Sequence, residues 1–314
     1  KQLEQSEGSD QSVPTVRRLV EQYRAEKMPQ RAMTRQGYNT WLNQYIIPKW
    51  GECALQQLQA RPIDLWLQSL ALAPKSKVHI RGLIRALWDF AMWRGDVPTQ
   101  RNPMELVTIK GATKRMKQPR SLTVEEFQRL VEQLEEPFRI MALVCVCFGL
   151  RISECLALKW SDVDWLNSTL CIERGIVHQV VDDVKTPESQ RSMYIDSDML
   201  EALKMWKQLA QFSAPDDWIF ASPVQIGRLP FSYAGVWRVL RKAAAKAGIG
   251  HISSHTFRHT HRSWLDAVGT PVGVQQRLMR HTDIRTTMNV YGTAATADMR
   301  QAHAKIVRLA LARA

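Results

Sequence analysis

The chain has 314 residues, with 43 Lys and Arg against 30 Asp and Glu, a net charge of +13 and a pI near 9.8. An apolar content of 45% that includes 11 Trp excludes wholesale disorder, and the length suits about two domains. The longest apolar run, Ile140 to Leu150, falls short of the roughly 20 residues a membrane span needs, so no membrane partner is expected.

Residues 1–11 are polar and read as a disordered tail. The chain opens on Lys1 rather than Met, with no signal segment, which leaves a further upstream domain open. Residues 12–118 carry 18 basic and 7 acidic side chains, residues 119–314 carry 24 and 20, so the positive excess sits in the first third. Such a charge suits a polyanion, usually nucleic acid, although a merely soluble basic domain has the same composition. Helical periodicity predicts segments near 14–27, 32–47, 62–72 and 76–94, a small bundle of four or five short helices. In the last, Ile80, Leu83, Ile84, Leu87, Trp88 and Ala91 form an apolar face. Lys77, Arg81 and Arg85 flank it at a spacing of four, either as a DNA-facing stripe or as a solvated edge. Pro98, Pro103 and Pro119 then mark a boundary. Within 109–120, Lys110, Lys114, Arg115, Lys117 and Arg120 make a basic linker that would track phosphates beside DNA, or a solvated loop otherwise.

Beyond the linker the pattern is mixed. Thr123 to Glu126 is a capping box, and an apolar helix follows at about 137–148, ended by Gly149. Stretches near 169–173, 176–181 and 191–195 read as strands, the last two joined by a hairpin turn at 182–189. Helices dominate afterwards, and 298–312 has an apolar side of its own. The cysteines (Cys53, Cys145, Cys147, Cys155 and Cys171) are odd in number, which argues against a disulfide framework and fits a reducing cytoplasm. Cys145 and Cys147 read as plain buried thiols.

Four local signals could carry chemistry. Arg151 follows Gly149 at a helix entrance, where free backbone N–H groups favour an anion; alone, such an arginine is more often paired to a nearby acid. Lys185 sits in the expected turn, solvated unless the turn enters a nucleic-acid groove, where a lysine serves as a proton donor. His255 and Arg258 share a helix face, with Ser253 or Ser254 as cap, and together suit a phosphate. His255 and His259 have the spacing of a zinc helix, but position 256 is Thr and no metal is expected. Finally, His281 is followed ten residues later by Tyr291, a phenol that needs a base and strong charge stabilisation to act as a nucleophile. Without a Mg²⁺ carboxylate cluster or a Walker-type glycine loop, this inventory suits metal-free phosphoryl transfer through a phosphotyrosine.

The segments GLRISECLALKWSDVD at 149–164, KT at 185–186, SHTFRHTHRSWL at 254–265 and HTDIRTTMNVYG at 281–292 resemble the tyrosine recombinase, or phage integrase, family. The resemblance implies a fold that is mainly α with a small antiparallel β-sheet: a helical core-binding domain at 12–108 and an α+β catalytic domain at 121–314, clamped on duplex DNA and joined by the linker. It implies that Tyr291 attacks the scissile phosphate, that Arg151 and Arg258 bind its non-bridging oxygens, and that Lys185 protonates the leaving 5′-oxygen. His255 would exchange the tyrosine proton, His281 would donate to the phosphate, and Glu154 would support Arg151. Neither ATP nor a metal cofactor is implied. The implied partners are double-stranded DNA and three further copies of the chain on paired sites, with a monomer free in solution. The C-terminal helix would dock on a neighbouring protomer or pack within its own chain. One departure from the family pattern is Arg280, where a glycine is common; it would bend the local loop differently or add a phosphate contact. The implied function is site-specific strand exchange by an integrase or excisionase. Type IB topoisomerase-like relaxation and a non-catalytic DNA-binding regulator stand as alternatives.

Overall fold

The computed structural model describes residues 14–112, 119–183, 191–253 and 255–280. Lys114, Arg115, Lys117, Lys185, His281, Tyr291, the polar tail and the expected C-terminal helix lie outside the described residues. The chain divides into two compact units, Lys1–Met116 and Lys117–Ala314.

The first unit is all helix, as its periodicity predicts: α1 (Val16–Glu26), α2 (Ala32–Trp41), α3 (Ile47–Trp50), α4 (Ala60–Ser69) and α5 (Pro74–Arg94). Each end has a local cause. The Thr15 hydroxyl accepts from the Arg18 N–H to start α1. Pro74 opens α5, and Gly95 closes it at φ +83°, donating back to Ala91 and Met92. The α5 face sinks Ile80, Leu83, Ile84, Leu87 and Trp88 against Leu19 and Val20 of α1, Leu42 and Ile46 of the π-turn after α2, and Ile63 and Leu67 of α4. Each such side chain is worth about 1.5–3 kcal/mol of burial. Ile109, inside the predicted linker, packs on this core.

The second unit is built on α7 (Phe138–Cys147), which buries Ile140, Met141, Ala142, Val144, Cys145 and Val146. Around it pack α6 (Val124–Glu132), whose capping box is formed as expected, α8 (Ile152–Leu156), α9 (Ser197–Leu209), α10 (Tyr233–Lys246) and α11 (Thr256–Ala267). A short α12 (Val272–Leu278) follows. Arg120, the last residue of the predicted linker, belongs here: its guanidinium donates to the Ile249 carbonyl at 2.6 Å and to Glu126 at 2.8 Å.

The strands differ from expectation in pairing. β1 (Val163–Asp164), β2 (Thr169–Ile172) and β5 (Arg191–Tyr194) form one antiparallel sheet in the order β1-β2-β5. The stretch 176–181 is not one strand. It turns at His178 and Gln179, both at positive φ, so β3 (Arg174–Val177) and β4 (Val180–Asp183) form their own hairpin. The hairpin turn expected at 182–189 therefore does not pair its flanks, since β5 lies on β2. A two-residue turn with left-handed residues usually advertises itself with Gly or Asn; this one has neither. Cys147 also departs from expectation: Cys145 is buried, but Cys147 is exposed at the end of α7.

Candidate active site

The site begins where α7 stops. Gly149 takes φ +57°, and a Cβ there would stand 2.6 Å from the His261 ring, so conformation and space both demand glycine. His261, on α11, donates through Nδ1 to the Val146 carbonyl at 2.7 Å. Burial, with Arg258 and Arg280 nearby, lowers its pKa to about 4 against that hydrogen bond, so the ring is neutral. Near neutral pH, a neutral imidazole whose donor faces a carbonyl acts as a strut.

Arg151 then caps α8. Its backbone N–H donates to Glu154 Oε2 at 3.0 Å and its guanidinium to Oε1 at 2.5 Å, while about a third of the side chain stays exposed. Burial of Glu154 favours its protonated form, but Arg280, Arg151, the Arg151 N–H and Arg258 outweigh that and hold the carboxyl below its ordinary value.

Arg258 enters from α11 and is buried. One Nη donates to the Gly149 carbonyl at 2.6 Å and the other to the Met279 carbonyl. Desolvation, then repulsion from Arg151, lowers its pKa to about 9, still cationic at neutral pH. His255 caps α11 from the exposed side. Partial desolvation and the charges of Arg258 and Arg151 lower its pKa, with Glu154 opposing, so the ring is neutral near pH 7. Of the two serines expected to cap α11, Ser254 lies outside the described residues; the Ser253 N–H donates to Thr256 Oγ1 at 2.8 Å, and His255 holds the N-cap position with no side-chain cap bond among the described residues. α11 is fixed instead by Thr260, which accepts from the Leu122 N–H at 2.9 Å, and by Trp264, which donates to the Leu122 carbonyl at 3.0 Å.

Arg151, which is distant in the chain, thus shares one electrostatic site with the neighbours His255 and Arg258 on α11. The phage integrase family profile matches residues 120–297, more than half the chain and all of this site. The chain belongs to the phage integrase family. It is 26% identical over 267 residues to the ICEBs1 integrase of Bacillus subtilis (strain 168), covering 80% of this chain and 71% of that protein. Across the first curated relatives it matches, the chain spans between 56% and 71% of their length. Among solved structures it superposes on the Tn1549 transposon integrase in complex with a circular intermediate DNA, with TM-score 0.76, 18% identity, and 93% and 99% of the two chains covered. It also superposes on a lambda integrase tetramer bound to a Holliday junction, with TM-score 0.69, 19% identity, and 92% and 81% covered. Both show this integrase fold, mainly helical with small antiparallel sheets.

Arg280 has a clear place in this family member, and it is not at a phosphate. Its side chain is fully buried and donates to Glu154 Oε2 at 2.8 Å. The phosphate contact that the sequence suggests for it is ruled out by this inward direction. Its backbone φ of +52° is the left-handed turn at which glycine is easiest. Among the described residues no group of three or more His, Cys, Asp or Glu is placed to hold a metal ion, and no helix is long and apolar enough to cross a membrane.

In the first unit, the basic stripe is engaged at home. Lys77 donates to the Gln68 carbonyl at 3.0 Å and Arg81 to the Met104 carbonyl at 2.9 Å. Arg85 pairs with Glu105 at 3.0 Å while half of its side chain stays exposed, and Lys110 is exposed. A second polar surface escaped the sequence reading. α2 buries no residue, and an open groove of about 530 Å³ runs beside Arg35, Gln36, Asn39, Thr40 and Asn43. Arg24 donates to the amide oxygens of Asn39 at 3.1 Å and Asn43 at 2.7 Å. A guanidinium only donates, so it fixes those oxygens inward and leaves both amide NH₂ groups free to donate elsewhere. The available signal was the run from Gln36 to Gln44, uncharged but rich in side chains that recognise bases.

Proposed function

We propose that this chain is a site-specific DNA recombinase of the integrase or excisionase kind, acting through a 3′-phosphotyrosine on Tyr291. The observation that carries the reading is the pair of cationic guanidiniums, Arg151 and Arg258, beside a neutral His255. Preorganised positive charge is what a phosphodiester needs as negative charge builds on its non-bridging oxygens. The Tyr291 phenol oxygen forms a bond to phosphorus and the bond to the 5′-oxygen breaks. Lys185 gives that oxygen its proton, and His255, being neutral, takes the phenol proton. His281 donates a hydrogen bond to the phosphate. In the reverse sense, a 5′-hydroxyl of a partner strand attacks the phosphotyrosine and the phenol recovers its proton. The ester keeps the bond energy, so the exchange asks for no ATP.

Residues 12–108 would grip the duplex and 121–314 would carry the chemistry, with 109–120 between them and 1–11 as a tail. Lys77, Arg81, Arg85, Lys110, Lys114, Arg115 and Lys117 are assigned to phosphates, Arg85 and Lys110 being favoured by their exposure. The amide NH₂ groups of Asn39 on α2 and Asn43 in the π-turn after it are assigned to base edges. The reading includes assembly as a tetramer on paired sites, from monomers in the cytoplasm; the lambda integrase tetramer bound to a Holliday junction supports the tetramer. Integrases and Xer recombinases among the relatives favour exchange over relaxation or passive binding.

The test is covalent trapping on DNA fragments of a host genome or element end. The expected result is an SDS-stable adduct at one defined phosphate, lost in Tyr291→Phe while DNA binding persists. An adduct that survives in the Phe variant overturns the assignment of the nucleophile.

A further inference from the structure

Arg280 is the residue this site contains and the proposed chemistry does not use. Its position is unusual in three independent ways. It holds a left-handed backbone angle at φ +52° without being glycine. Its guanidinium is wholly removed from solvent. It also bonds to three separate stretches of chain: Glu154 Oε2 at 2.8 Å on α8, the Phe148 carbonyl at 3.3 Å in the turn before Arg151, and Met193 Sδ at 2.9 Å on β5.

From these contacts we infer that Arg280 is a positioning residue for Arg151, acting through Glu154, and for the chain that leads into His281. This rests on the reading of Arg151, His281 and Tyr291 given above.

The argument starts from Glu154. Its carboxylate is buried and has two oxygens to satisfy. Arg151 uses Oε1 through its guanidinium and touches Oε2 only through its backbone N–H. Arg280 fills Oε2 from the inside. A guanidinium is a planar fork that prefers to take both oxygens of a carboxylate. With Arg280 in place, Oε2 is already taken, so Arg151 binds by a single Nη, and the rest of its fork remains for a phosphate. Without Arg280, Arg151 can rotate onto both oxygens, which draws its donors away from the substrate side and cancels more of its charge.

The second half concerns the turn after α12. Arg258 ties the Met279 carbonyl to the Gly149 carbonyl, and Arg280 ties residue 280 to the Phe148 carbonyl and Glu154. The two arginines therefore lace the segment just before His281 onto the turn just before Arg151. Residues 279 and 280, which lead into the histidine proposed to touch the phosphate, are thus held against the turn before Arg151.

The experiment uses the full chain and the duplex recovered by adduct mapping, carried as a nicked suicide substrate in single turnover. Arg280→Met keeps the bulk and loses the fork and the charge. The adduct-forming rate at saturating DNA should fall roughly 100-fold, the scale of a misplaced reacting group, while the DNA Kd changes less than about threefold. Arg280→Lys, which returns the charge to Glu154, should recover part of the rate. Arg280→Met combined with Glu154→Gln, which relaxes the hold on Arg151, should cleave faster than Arg280→Met alone. Thermal melting of each variant before the assay separates misfolding from misplacement, and Arg280→Lys keeps the question answerable if Arg280→Met melts. Equal rates in wild type and Arg280→Met, or in a folded Arg280→Lys with no recovery over Met, overturn the positioning role and leave the recombinase reading intact. A wild-type chain that forms no adduct on any fragment overturns the recombinase reading itself, and this role with it.

Discussion

The two units use arginine in opposite ways. In the first, Arg17, Arg85 and Arg101 pair on the surface with Glu52 and Glu105, with about half or more of each arginine side chain in water. In the second, Arg258 and Arg280 are sealed in, and Arg280 and Arg151 share the single carboxylate of Glu154. Water screens the first kind of pair to about 0–1 kcal/mol. A buried pair has no such cushion, and removing one partner strands the other at a cost of about 3–5 kcal/mol. A surface meant to exchange one polyanion for another must stay wet and weakly committed. A site meant to stabilise a fleeting charge must be built and dry beforehand.

The strongest way to break this contrast is Glu154→Ala. It leaves Arg280 buried without its carboxylate, and the unfolding free energy from urea titration should drop by about 3–5 kcal/mol. A loss under about 1 kcal/mol would mean that the second unit's charges are as well hydrated as the first unit's.

Next in size is a pH effect at His261. Its folded pKa is about 4, below the unfolded value of 6.5, because burial and two arginines oppose its charge. The unfolded chain therefore binds the extra proton first as pH falls. Stability from this group is fully present above about pH 6.5 and drains away between there and pH 4, on the order of 3 kcal/mol in all. The urea midpoint of His261→Asn, which has no proton to gain, should slope less steeply across that window than that of wild type. Parallel slopes would remove His261 from the acid sensitivity of the fold.

Much of this was legible beforehand, for reasons that can be named. Helices α1, α2 and α4 to α7 declare themselves through spacing, caps and the punctuation of Pro74, Gly95 and Gly149. Arg151, His255 and Arg258 could be chosen because local motifs bring their chemistry into view. What failed was what depends on the partner across space. The His178–Gln179 turn has no glycine to betray it, and the partner of β5 is set by β2, some twenty residues away. A phosphate contact stood open for Arg280 because nothing in its neighbourhood says that Glu154, 126 residues earlier, waits for it. The basic stripe of α5 was judged by spacing alone, which could not reveal that Gln68, Met104 and Glu105 occupy it.

The smallest stability effects belong to the first unit, and there the contrast is sharpened by pairing two substitutions. Arg85→Ala removes a half-exposed ion pair with Glu105, so its unfolding free energy should move by no more than about 1 kcal/mol. If Arg85 also meets a phosphate, the slope of log affinity against log salt should flatten by about one, equally on every sequence. Asn39→Ala also barely touches the core, since α2 buries nothing. Yet it removes an amide whose orientation Arg24 has already fixed. If that amide reads a base edge, affinity for the cognate duplex should fall about tenfold or more, with the salt slope unchanged and binding to scrambled DNA unaffected. One surface cation would then set strength and one surface amide would set choice. Identical losses on cognate and scrambled duplexes would reduce the amide to another backbone contact.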